Sequence, residues 1–281
     1  MDEENHKIPY EDLYIYWLEG VVTSDEEARL GNAFIGNWVE GDSSFLFFHE
    51  PSKDGVLKCV QSNQGLTLIE VYHFTYDQWQ GGVLAPFRIG PLLFVPPWKD
   101  ITAQGGEKKI FLDPGVVFGN GLHPTTKHCL KALVYLNGAH SFDRVLDMGT
   151  GTGVLSLAAV KLGAKRAWAV DLNPLAVRTA RNNVALNGME QQIHVLESDA
   201  TKILHRTVDL VVANIHEEVI LGLLSGELFL QNRWYIFSGL MRSQALRVRE
   251  ALKSKQMDVV REWDFNMTWY TLLASNSYFL S

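Results

Sequence analysis

The chain has 281 residues, 47% of them hydrophobic and 20% charged, with a formal net charge of −7. That length holds one large domain or two modest ones, and the composition is that of an ordinary globular protein rather than a disordered or fibrous one. The acidic balance disfavours a general nucleic-acid binder, whose affinity comes from neutralising phosphates, and is compatible with a basic protein partner.

No apolar run approaches the length of a membrane span, and the polar start Met1-Asp2-Glu3-Glu4 lacks the apolar core of a signal peptide. Cys59 and Cys129 are the only cysteines. Two distant thiols form neither a metal motif nor a disulfide framework, so the expected location is the reducing cytoplasm, and no metal is expected.

In the first hundred residues, short apolar runs alternate with turns. Residues 10–19 and 24–34 are expected as short helices, and Phe45–Phe48, Val56–Val60, Leu66–Val71 and Leu92–Val95 as strands. Together they predict a small α+β domain over residues 1–100. Residues 101–122 read as a linker followed by a glycine-rich lid, with Gly115, Gly119 and Gly121 letting the segment fold over a ligand. In this lid His123 reads as structural.

From residue 123 to 281, strands and helices alternate. The pattern predicts a helix over 124–136, a strand over 144–147 and a helix over 153–162. A strand over 167–171 and a helix over 174–186 follow, the latter opened by Asn173-Pro174 and closed by Asn187-Gly188. Strands over 193–196 and 208–213, a helix over 217–224 and a strand over 234–238 come next. A helix over 243–253 and strands near 259–262 and 268–274 complete the chain. Such alternation predicts a doubly wound, mostly parallel sheet with its ligand crevice beyond the carboxyl ends of the strands.

The candidate functional residues fall at those ends. Asp147-Met148-Gly149-Thr150-Gly151-Thr152-Gly153 joins a strand to a helix, and Asp171 ends the next strand. Glycines let the backbone turn tightly against a ligand, and a carboxylate at the second strand end can take both hydroxyls of a ribose. The dinucleotide fingerprint requires Gly-x-Gly-x-x-Gly, but Val154 stands where its third glycine belongs. Asp147 would repel a pyrophosphate yet pair with an ammonium, which favours S-adenosylmethionine over a dinucleotide.

Asp199, after the third strand, is placed to accept from an adenine amine. Asn214, after Val208–Ala213, is placed to orient an attacking amine or to cap the following helix. Asn-Ile-His-Glu lacks the proline–aromatic clamp that stacks a flipped base, which weakens an RNA substrate. His216 or Glu217 is a candidate proton acceptor, with solvent as the alternative.

Asp113-Pro114-Gly115, Phe118-Gly119-Asn120-Gly121-Leu122-His123-Pro124-Thr125-Thr126, the glycine turn and Val211-Val212-Ala213-Asn214-Ile215 together resemble the ribosomal protein L-eleven methyltransferase (PrmA) family. The resemblance implies a Rossmann-like methyltransferase domain over 123–281 and a substrate-recognition role for residues 1–100. It implies transfer from S-adenosylmethionine to amines of a large-subunit ribosomal protein, with S-adenosylhomocysteine as product. Cofactor contacts are implied at Thr126, Gly149, Asp171 and Asn214, alongside Asp147, Gly151 and Asp199 read above. Asn120 departs from the threonine usual in the lid, and His216-Glu217-Glu218 departs from the usual apolar or small stretch.

Overall fold

A computed structural model describes residues 8–203 and 207–276. The amino-terminal heptapeptide, on which the absence of a leader was read, lies outside the described residues. The chain divides into two compact units, Met1–Leu84 and Ala85–Ser281.

The first unit runs β1 (Asp12–Glu19), α1 (Ser24–Glu27), β2 (Phe34–Glu40), β3 (Ser43–Phe48), α2 (Lys53–Ser62), β4 (Thr67–Thr75) and α3 (Tyr76–Gln80). Its antiparallel sheet has the order β2-β3-β1-β4. A β-α-β-β-α-β succession with this order is the ferredoxin-like arrangement. Tyr16, Leu18, Leu46 and Phe48 from the sheet pack with Val56 and Cys59 of α2.

Three expectations fail here. Residues 10–19 are not a helix but the inner strand β1, because alternating Leu13 and Ile15 with interleaved tyrosines suit a pleated surface paired on both edges. The helix expected over 24–34 is one turn, opened by a Thr23–Glu26 capping box, and Gly31, at φ +84°, lies ahead of β2. Residues 56–60 are helical: the buried pair Val56 and Cys59 has spacing three, the period of a helix face.

The second unit runs β5 (Phe87–Ile89), β6 (Leu92–Val95), β7 (Lys108–Phe111), α4 (Pro124–Ala139), β8 (Arg144–Met148), α5 (Val154–Leu162), β9 (Arg166–Asp171) and α6 (Pro174–Leu186). It continues through β10 (Ile193–Glu197), a 3-10 turn at Ala200–Ile203, β11 (Leu210–Asn214), α7 (Glu217–Leu224), β12 (Trp234–Met241), α8 (Arg242–Ser254), β13 (Met257–Phe265) and β14 (Trp269–Asn276). The division at Leu84 and Ala85 falls before the boundary expected near residue 100. The reason is that Leu92, Phe94 and Ile110 of the three-stranded sheet β5-β6-β7 belong to the same apolar core as Cys129, Leu133 and Leu157.

The main sheet has the order β10-β9-β8-β11-β12-β14-β13, parallel except for β14, which is antiparallel to both neighbours. Alternate residues feed two cores: Val145 and Val212 join α4 and α5, while Leu146 and Val211 join the side covered by α7 and α8. Each such buried side chain contributes about 1.5–3 kcal/mol of transfer free energy. The chain order reverses at β8, which has β9 on one side and β11 on the other. In-register pairs Met148–Val170, Asp171–Glu197, Ala213–Met148 and Asn214–Ser238 align the carboxyl ends along one edge, at the switch point where open α/β sheets bind ligands.

Candidate cofactor and active site

The turn after β8 takes positive φ at Gly149 (+70°), Gly151 (+55°) and Gly153 (+81°). A Cβ on Gly151 would lie 2.4 Å from the Phe118 carbonyl oxygen, and one on Gly149 2.5 Å from Ile215 Cγ2. Glycine is therefore required by close approach as well as by conformation.

All five backbone N–H groups of Gly149–Gly153 are engaged within the protein. Those of Gly149 and Thr150 donate to the Val170 carbonyl at 2.9 and 3.0 Å, and Gly151 N–H donates to Asp171 Oδ2 at 3.0 Å. Thr152 N–H donates to the Phe118 carbonyl at 3.2 Å and Gly153 N–H to that of Thr150 at 2.9 Å. Asp171 Oδ1 accepts from Asn173 N–H at 3.0 Å. Each Asp171 oxygen thus holds one backbone donor and keeps a further acceptor site at a partly exposed strand end.

Asp147 is fully buried. Its Oδ2 accepts from Thr150 Oγ1 at 2.6 Å, Ser156 Oγ at 2.8 Å and Ser156 N–H at 3.1 Å. The sequence aimed this carboxylate at a ligand; the structure commits one oxygen to bracing the turn and leaves Oδ1 buried without a partner. Burial pushes its pKa up to about 6, against the lowering effect of these hydrogen bonds and with a small upward push from Asp171.

The lid is fastened to the turn. Thr152 Oγ1 donates to the Gly119 carbonyl at 2.8 Å. Asn183 of α6, fully buried, accepts from Asp113 N–H at 2.8 Å and donates to the carbonyls of Asp113 at 2.7 Å and Thr152 at 2.9 Å. One turn on, Asn187 makes the same paired bonds to Phe111 N–H and its carbonyl. Asn120 accepts from Leu122 N–H at 2.9 Å, a local turn that an asparagine side chain is suited to close.

His123 caps α4, with Nδ1 2.8 Å from Thr125 Oγ1. Its ring lies edge-on to Phe118 and to Trp269, at 5.2 Å from each, and burial lowers its pKa. The ring is therefore a neutral structural element. Thr126, in the first turn of α4, has a buried hydroxyl without a partner.

Asn214 ends β11 partly exposed, and its amide bonds to no other described residue. The helix-capping alternative for it does not hold: the cap of α7 is His216, which is exposed and makes no capping bond. Glu217 is not available as a base, because Arg247 of α8 holds both its oxygens at 2.5 and 2.6 Å and keeps its pKa low. Asp199 lies just past β10, where Ser198 N–H bonds the Asp171 carbonyl, but its Oδ1 is taken by Thr201 N–H and Oγ1.

The structure thus bonds Gly151 to Asp171, seats Asp147 and Gly149 in the same turn with Asp147 held through Thr150 and Ser156, and sets Asn214 on the same sheet edge. The sequence gives no role to Asn183 or Trp269, marks Asn187 only as a helix stop, and includes Phe118 only within the lid motif. The i, i+4 spacing of the two asparagines was the available signal. Among the described residues, no group of three His, Cys, Asp or Glu side chains is placed to hold a metal, and no helix is long and apolar enough to cross a membrane.

Sheet order, switch point and glycine turn define a Rossmann-like methyltransferase fold. The solved "ribosomal protein L11 methylase" of Lactobacillus delbrueckii subsp. bulgaricus matches with TM-score 0.57 and 30% identity, over 66% of this chain and 93% of that one. The family model "Ribosomal protein L11 methyltransferase (PrmA)" matches residues 72–276, and the chain belongs to that family. Relatives of that name include one from Exiguobacterium sibiricum, 43% identical over 185 residues, covering 65% of this chain and 58% of that protein. One from Limosilactobacillus fermentum is 39% identical over 187 residues, covering 65% and 57%. The chain thus spans less than two thirds of the length of these relatives.

Proposed function

We propose that this chain transfers methyl groups from S-adenosylmethionine to protein amines, lysine side chains and/or an amino terminus, of a large-subunit ribosomal protein. The engagement of all five N–H groups of Gly149–Gly153 carries the choice of cofactor. A pyrophosphate needs free backbone donors, and here it would meet none in the turn and two carboxylates beside it. A cation-bearing nucleoside fits: Asp171 keeps acceptor sites for ribose hydroxyls, and the unpartnered Asp147 Oδ1 and Thr126 hydroxyl are buried polar atoms that a ligand would satisfy.

When bound, the cofactor supplies an electrophilic methyl group on a sulfonium. The protein must align a neutral amine with it, and alignment contributes up to about 7–11 kcal/mol. Asn214 is placed to accept an N–H of that amine and fix its lone pair. At neutral pH a lysine must first lose a proton, at about 4 kcal/mol, whereas an amino terminus costs under about 1 kcal/mol. With Glu217 held by Arg247, exposed His216 or solvent takes that proton. The rings of Phe118, His123 and Trp269 supply a flank that displaces water from an alkylamine and tolerates its methylated cation.

The first unit is assigned to holding the basic substrate protein, and the cytoplasm is the proposed place of action. Calorimetry with S-adenosylmethionine, S-adenosylhomocysteine and NAD tests the cofactor. Binding of the first two alone is expected, and NAD binding without the others would overturn the reading.

A further inference from the structure

The turn Phe265-Asn266-Met267-Thr268 joins β13 to β14 with positive φ at both central residues, +49° and +55°, closed by Thr268 N–H to the Phe265 carbonyl at 2.9 Å. Glycine and asparagine are the residues that adopt such positive φ readily, and a long apolar side chain at the second position works against the backbone. Met267 nonetheless stands there, 67% exposed. It lines a shallow, wide-open groove with Met241, Leu246, Arg242, Ser243 and Thr268. Met241 and Leu246 are also exposed, at 50% and 49%. Residues held in unfavourable backbone regions concentrate where function maintains them.

Strand register ties one wall of the groove to the site described above. Met241 pairs in register with Trp269, whose ring contacts His123 of the lid. It lies three residues past Ser238, the register partner of Asn214, on the same edge of the sheet. Arg242 is the first residue of the thirteen-residue helix α8 and makes no ion pair among the described residues. The helix start adds its own partial positive charge there. Asp264, the nearest acid of the turn, is folded back onto Met267 N–H.

We infer that this groove docks the stretch of substrate polypeptide flanking the methylated amine, taking an apolar side chain between Met241, Leu246 and Met267 and an acidic group at Arg242. Methionines suit the task because their flexible thioethers adapt to more than one sequence. The inference rests on the proposed protein-methylating activity and adds a specificity element to it.

The test is steady-state methyl transfer by the full chain to purified large-subunit ribosomal proteins, with Met267→Gly, Leu246→Ser and Arg242→Glu beside the unaltered chain. Each variant is expected to raise KM for the protein by about tenfold, leaving kcat and S-adenosylmethionine affinity within about twofold. Met267→Gly should melt no lower than the unaltered chain, since it relieves the turn. Unchanged KM in all three variants, or a loss of cofactor affinity in Met267→Gly, would overturn the groove assignment alone. An unaltered chain that methylates no ribosomal protein overturns the functional reading, and the groove with it.

Discussion

Replacing Asp147 by asparagine separates what this carboxylate does for the fold from what it does for a cationic ligand. Its pKa in the folded chain is raised from 3.8 to about 6, so the native state holds the proton more tightly than the unfolded chain. The stability tied to that proton is fully present below pH 4 and is lost as pH rises through 6, at about 1.4 kcal/mol per unit and about 3 kcal/mol in all. Asparagine keeps an acceptor for Thr150 and Ser156 but cannot ionise. The difference in stability, variant minus unaltered chain, should therefore grow in the variant's favour by about 3 kcal/mol between pH 4 and pH 7. Its absolute value is offset downward by about 1–3 kcal/mol, because the amide nitrogen replaces an oxygen that is already unpartnered. For a chain of this size, the pH-dependent part corresponds to a relative melting shift of about 6–12 °C. Cofactor binding should respond oppositely. A cation favours ionised Asp147, so the unaltered chain should bind S-adenosylmethionine more weakly as pH falls below about 6, and the variant should bind weakly at every pH. Thermal melts and calorimetry across pH 4–8 measure both. A pH-independent stability difference, or parallel affinity profiles, would refute the reasoning.

Asn183→Ala removes three hydrogen bonds to backbone groups of the lid and turn and should cost about 3 kcal/mol, read as a lower denaturation midpoint together with weaker cofactor binding. Gly151→Ala must leave the left-handed region or strain it by about 1–2 kcal/mol, and its methyl group would displace the Phe118 carbonyl. Calorimetry should show at least about tenfold weaker S-adenosylmethionine binding; an unchanged affinity would mean that the lid does not rest on the turn. Glu217→Gln should leave the pH–rate profile of methyl transfer unchanged, because Arg247 already holds that carboxylate ionised. His216→Ala removes the remaining side-chain candidate, and an unchanged profile there assigns the proton to solvent.

The second unit is legible from residue 124 onward because its signals there are local, whereas β7 lies inside the stretch expected as linker and lid. Asn173 caps α6 through bonds to Leu175 N–H and Ala176 N–H, Pro174 sits at the first helical position, and the glycine turn marks the end of β8. In the first unit, aromatic and β-branched residues are dense enough to satisfy either period, so β1 and α2 were exchanged in type. The pairing that decides β1 comes from β3 and β4, distant in sequence. The same distance hid Asn183, whose bond to Asp113 spans 70 residues. For Asp147 the residue type was visible but its orientation was not. Thr150 and Ser156 claim one oxygen, and no spacing rule says which way a carboxylate at a strand end will turn.

The most direct test is to incubate the purified chain with methyl-labelled S-adenosylmethionine and separated protein and RNA of the large ribosomal subunit, then locate the label by mass spectrometry. Label on lysine side chains or an amino terminus of one ribosomal protein, lost in Asn214→Ala by more than calorimetry shows the cofactor affinity to fall, is the predicted result. Label on RNA, or label on protein that survives Asn214→Ala undiminished, would contradict the account.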